Sequence, residues 1–130
     1  METILVVEDD KDVLNLIRLV LQEVGYHVIT ALSGEHALMV SEEHGQPIDL
    51  LLADVVLTGM PGHELADHLY TSNPAMRVIF ITGYAIDKIA AEIATVPNDL
   101  LLTKPVSIGQ LISKIRMVLR DSASTGSVPK

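Results

Sequence analysis

Short apolar runs alternate with stretches whose apolar positions return every three or four residues, which predicts strand and helix in turn along almost the whole chain. Residues 3–8 read as a first strand. Val13, Leu14, Leu16, Ile17, Val20, Leu21 and Val24 then mark one side of a helix that stops at Gly25. His27–Ala31 is a short second strand, and Ser33 caps a helix that carries Ala37, Leu38 and Val40 inward. Leu50–Asp54 is a third strand. A shorter helix runs from Gly62 or His63 to Tyr70, residues 77–81 form a fourth strand, and residues 86–94 a modest helix ending before the Pro97-Asn98-Asp99 turn. Residues 100–103 are the fifth strand. Ser107 and Gln110 make a capping box for a last helix whose Leu111, Ile112, Ile115, Val118 and Leu119 cover the sheet.

Strands one, three and five are apolar almost without interruption, so both sheet faces are covered and the fold class is doubly wound α/β with five parallel strands and five helices. Crossovers are right-handed. The pattern does not fix strand order, but a central first strand flanked by the second and third sets Glu8, Asp9 and Asp54 across the switch point, where such sheets bind ligands.

The 130 residues suit one domain with a real core. With no cysteine, thiol redox chemistry and cysteine-ligated metals are excluded, and the chain is compatible with a cytoplasmic setting. No secretory leader and no run of about 18 apolar residues is evident, so a membrane role is not expected. Seventeen acids against nine bases give a formal charge of -8, which argues against nucleic acid and anionic lipid. Residues 121–130 are small and polar and are expected to form a flexible tail behind a domain spanning 1–120. Met39, Met60, Met76 and Met117 are expected to pack the core or its edges, and the five histidines to serve as ordinary surface residues.

The chemistry gathers at three strand ends. Glu8, Asp9 and Asp10 follow the first strand, Asp54 closes the third, and Lys104 follows the fifth. A lone carboxylate at a strand end is commonly a solvated turn residue, whereas several acids converging with a lysine demand a counter-charge. Magnesium suits carboxylate, carbonyl and water oxygens: Glu8 and Asp9 would supply or orient part of its shell, and Asp54 would give one oxygen to the metal and the other to phosphorus. Lys104 would pair with Asp54 at rest and with a phosphoryl oxygen afterwards, and Thr82 would donate a hydroxyl to the same group. Asp10 begins the first helix, where a capping role competes with a secondary acid role near the metal.

Ile4-Leu5-Val6-Val7-Glu8-Asp9-Asp10, Asp49-Leu50-Leu51-Leu52-Ala53-Asp54, Val78-Ile79-Phe80-Ile81-Thr82-Gly83-Tyr84-Ala85 and Leu102-Thr103-Lys104-Pro105 together closely resemble the receiver domain of two-component response regulators, over about residues 3 to 120. The Thr-Gly-Tyr-Ala string and the start of the last helix are most similar to receivers associated with hybrid histidine kinases. The resemblance implies a flavodoxin-like strand order 2-1-3-4-5. It implies phosphorylation of Asp54 by a histidine kinase or phosphotransfer protein, a magnesium ion, for which manganese can substitute, held by Glu8, Asp9, Asp54 and the carbonyl of Val56, Lys104 as the family's lysine, and Thr82 as the switch hydroxyl. Such a domain is a phosphoprotein of phosphorelay signalling, not an enzyme beyond accepting and losing its own phosphoryl group.

Two departures stand out. Leu101 occupies the place where the family carries Tyr or Phe, and Thr58 the place of a usual proline. Leucine has no hydroxyl and no flat ring, so Tyr84 is the candidate for a substitute aromatic switch surface; Thr58 leaves the loop less constrained than proline would. The alternative class is an interaction module with a receiver fold that works without phosphorylation. A phosphohydrolase of the haloacid dehalogenase type would want an acid where Val56 stands, and Glu8-Asp9-Asp10 would repel the phosphates of a dinucleotide. With only a short polar tail, the signal is expected to pass through protein contact with a kinase or phosphotransfer partner, or with a downstream protein target. The first helix, with Leu14 and Ile17, is expected to dock; the helix over 86–94, the fifth strand and the last helix are expected to switch.

Overall fold

The computed structural model describes residues 1–83, 101–103 and 107–127. Strand β1 (Thr3–Val7) is buried along its whole length, as a strand covered on both faces must be. Helix α1 (Lys11–Val24) begins at Asp10, whose Oδ1 accepts from the backbone N–H of Asp12 at 2.9 Å and of Val13 at 3.3 Å. It ends at Gly25. Strand β2 (His27–Ala31) and helix α2 (Gly34–His44) follow, the helix capped by Ser33, whose Oγ accepts from His36 N–H at 3.1 Å. Strand β3 (Leu50–Asp54) lies where the apolar run put it.

Next comes a small hairpin that the sequence pattern did not suggest. Strands β4 (Val56–Leu57) and β5 (Met60–Pro61) pair antiparallel, Val56 with Pro61 and Leu57 with Met60. Only Gly59 in this turn has a positive φ, +87°, the left-handed position that glycine takes without steric cost. Two rungs and this glycine constrain the loop that Thr58, in place of proline, was expected to leave looser. Helix α3 (Gly62–Tyr70) and strand β6 (Arg77–Thr82) come next, the strand one residue longer than expected. Strand β7 (Leu101–Thr103) and helix α4 (Ile108–Ser127) complete the described chain. The capping box is present in both directions, Gln110 N–H to Ser107 Oγ and Ser107 N–H to Gln110 Oε1, each 3.1 Å. Helical backbone continues past the expected boundary at residue 120, because extending an established helix fixes one residue per hydrogen bond and avoids the cost of a new nucleus. The expected helix over 86–94 lies outside the described residues.

The main sheet is parallel, in the order β2-β1-β3-β6-β7. Counting only its five strands, this is the order 2-1-3-4-5, and four helices flank it among the described residues. Side chains sort by the two-residue period of a strand. Leu5, Val7, Leu51, Ala53, Val78 and Phe80 pack with Ala37, Leu65 and Leu69 of α2 and α3. Ile4, Val6, Leu50, Leu52, Ile79 and Ile81 pack with Leu14, Leu21, Leu111, Ile115 and Val118 of α1 and α4.

Three apolar assignments need correction. Leu16, Met39 and Met117 are about half exposed, at 53%, 53% and 48%. Each stands two residues after an inward side chain, Leu14, Ala37 and Ile115, and two steps of 100° carry it to the far side of the helix.

Candidate functional site

The carboxyl ends of β1, β3 and β6 lie side by side because Val7 pairs with Ala53 and Asp54 with Ile81. Glu8 follows β1, Asp54 ends β3, and Thr82 ends β6. Glu8 is buried at 6% exposure and Thr82 is completely buried, while Asp54 is half-buried and Asp9 and Asp10 are exposed. The sheet thus brings three of the expected site residues together. A carboxylate as buried as that of Glu8 needs compensating polar or cationic surroundings, which marks this end of the sheet as chemically specialised.

Local backbone bonds set the aim of these groups. Glu8 N–H donates to Ala31 O at 3.1 Å, extending the β1–β2 ladder by one residue, and Glu8 Oε1 accepts from Asp10 N–H at 3.3 Å. Val55 N–H donates to Ile81 O at 3.1 Å and so continues the β3–β6 ladder beyond Asp54. Asp54 Oδ1 accepts from Val56 N–H at 3.1 Å, which turns the carboxylate toward the following loop. The hairpin is then closed by Gly62 N–H on Val55 O at 2.8 Å. Gly62 passes so close that a Cβ there would overlap the Asp54 carbonyl oxygen. Backbone approach of this kind comes from tertiary packing, and only the glycine itself was a signal for it.

Asp10 is engaged as the cap of α1, the first of its two expected roles. Leu101 is half-buried, pairs with Phe80 and packs on the α2/α3 side of the core, so it fills an apolar slot. Lys104 and Tyr84 lie outside the described residues; Thr103, the residue before Lys104, pairs with Thr82.

Among the described residues no group of three or more acids or histidines forms a ready-made metal cage. The donor set nevertheless fits magnesium, which takes one or two carboxylates and retains several waters. Glu8 and Asp54 are hard oxygen donors of that kind.

The sequence signature of the response regulator receiver domain matches residues 4–116. The chain belongs to that family. It is 36% identical to the sensor kinase CckA of Brucella abortus over 118 residues, which cover 90% of this chain and 12% of CckA. It is 33% identical to the response regulator receiver protein CpdR of the same organism over 120 residues, covering 92% of this chain and 98% of CpdR. The chain therefore spans a small part of one relative and nearly all of another. Among solved structures, a CheY-like receiver domain protein from Methanospirillum hungatei superposes with a TM-score of 0.82 at 28% identity, covering 95% of this chain and 98% of that one.

Proposed function

We propose that this receiver domain accepts a phosphoryl group on Asp54 from a histidine kinase or histidine phosphotransfer protein and passes the signal on by protein contact. The observation that carries the reading is the half-buried Asp54 carboxylate beside buried Glu8 and Thr82 at the switch point of the sheet. An Asp54 oxygen attacks the donor phosphorus, the phosphorus–nitrogen bond of the phosphohistidine breaks, and the imidazole leaves. Thr82 donates its hydroxyl to the transferred group, and Lys104 balances its charge. Glu8, Asp9, Asp54 and the Val56 carbonyl would hold magnesium, or manganese in its place, which supplies charge neutralisation and a fixed line of approach. Water later cleaves the acyl phosphate and releases inorganic phosphate. The domain acts as a cytoplasmic signalling module without turnover of outside substrates, and its last helix runs on past residue 120 to Ser127.

The docking surface on α1 is revised. Leu14 is buried and Ile17 half-buried in the α1/α4 core, whereas Leu16 and Leu19 face solvent, so these two are the apolar side chains that α1 offers a helical partner. Incubation with magnesium and acetyl phosphate is expected to produce an acid-labile acyl phosphate on Asp54. Full labelling of Asp54→Ala would overturn the assignment.

A further inference from the structure

Met60 and Gly34 meet where the loop after Asp54 passes the start of α2. A Cβ built on Gly34 would stand 2.5 Å from Met60 Cγ and 2.7 Å from its Sδ. Cγ lies near the root of the side chain, so swinging the terminal methyl does not relieve the overlap. The whole Met60 side chain, or the backbone that carries it, has to move.

That backbone belongs to the hairpin. Met60 pairs with Leu57, and the adjoining rung pairs Pro61 with Val56. Val56 N–H in turn donates to Asp54 Oδ1 at 3.1 Å. A displacement of Met60 is therefore handed through two rungs to the acceptor carboxylate.

We propose that the Gly34–Met60 contact is a positioning lock for phosphoryl acceptance. Gly34 admits the Met60 side chain against the first turn of α2, and the seated side chain keeps the hairpin, the Val56 backbone and the Asp54 carboxylate aimed. This rests on the reading of Asp54 as acceptor. Neither partner of the lock meets the phosphoryl group; both act through the hairpin, so they are positioning residues. The lock also ties the β2–α2 corner, which carries none of the site's carboxylates, to the loop that orients one.

Three variants test it: Gly34→Ala, Met60→Ala and the two combined. Gly34→Ala should force Met60 from its seat, and Met60→Ala should remove the packing that holds the hairpin. In the double variant the added methyl occupies space that Met60 has left. Each single variant is expected to slow labelling of Asp54 by acetyl phosphate about tenfold, since small misplacements of reacting groups are costly in rate. The double variant should recover to within about threefold of the unaltered chain, because contacting residues couple.

Amide spectra recorded without magnesium or donor provide a readout that does not pass through activity. Both single variants should shift the amides of residues 54–62 and leave those of α1 and α4 in place. The lock is overturned if Gly34→Ala leaves the hairpin amides unshifted, if the double variant is no better than the worse single one, or if labelling falls only in proportion to the unfolded fraction in a urea titration. If the unaltered chain takes no label on Asp54, the acceptor reading fails instead, while the amide shifts still decide whether the contact positions the hairpin.

Discussion

Asp49 and Asp54 flank the same strand, one before β3 and one at its end, and the two ends of the sheet use them differently. Asp49 Oδ2 accepts from the backbone N–H of Thr3 at 2.7 Å, across 46 residues of sequence. Its own backbone bonds to Thr3 O and from Arg77 N–H, each at 2.9 Å. Beside it, buried Asn73 accepts from Ile48 N–H at 2.8 Å and donates to Leu69 O at 3.0 Å. At the other end, Asp54 accepts from a backbone amide only two residues on. Long-range bonds to backbone make one end a clasp that joins distant segments. At the Asp54 end the backbone amide bonded to the carboxylate is local, so that bond aims the side chain without joining distant segments.

The sharpest way to break this contrast is to remove each aspartate in turn. Asp54→Ala should reduce acyl phosphate labelling to background in protein that still folds cooperatively in urea. Asp49→Ala should keep labelling in the folded protein and lose about 1.5–3 kcal/mol in urea unfolding, as expected for a charge-assisted bond. Labelling retained in the first, or lost in the second at full folding, would undo the division of roles. Asn73→Ala extends the test within the clasp. It leaves Ile48 N–H without its partner, and a loss of about 1–3 kcal/mol is expected with labelling again retained.

Asp10 sharpens the comparison because it belongs to the acidic sequence and yet its carboxylate is spent on capping α1, bonded to the amides of Asp12 and Val13. Asp10→Ala should cost about 1 kcal/mol of stability as a lost helix cap. A large fall in magnesium affinity without that cost would reassign it to the metal. The smallest effect concerns Tyr70, at the end of α3. Burial raises its hydroxyl above the ordinary value of 10.0, the nearby Arg77 opposes this, and Asp67 adds to it. A raised folded value favours the neutral phenol in the native state. The associated stability is therefore complete below pH 10 and declines as the pH rises through the folded value. Tyr70→Phe should flatten the stability curve above pH 10, and an unchanged slope would exclude Tyr70 as its source.

Features encoded by near neighbours were legible in the chain. The caps at Asp10, Ser33 and Ser107 depend on side chains two or three residues from the amides they meet, and the strand at Leu50–Asp54 depends on a continuous apolar run. Asp54 and Glu8 could be brought together because strand ends in parallel sheets share one rim. The remaining features are set across the fold. The β4–β5 hairpin is too short for a periodic signal, and the need for glycine at Gly34 and Gly62 arises from Met60 and from the Asp54 carbonyl. Leu16 was misplaced for a simpler reason: in an apolar-rich helix the pattern does not say where the buried stripe stops, and the angular step from Leu14 does.

The sheet's separation of alternate residues has an evolutionary consequence. Leu51 and Leu52 are neighbours in the chain but belong to different cores, one under α2 and α3, the other under α1 and α4. Substitutions in the two separate cores, at positions well apart along the sheet, should combine close to additively in stability. One half of the domain can then drift and acquire new contacts while the other keeps its inherited sequence, and lineages of such domains can diversify what they bind without renegotiating the whole interior at once.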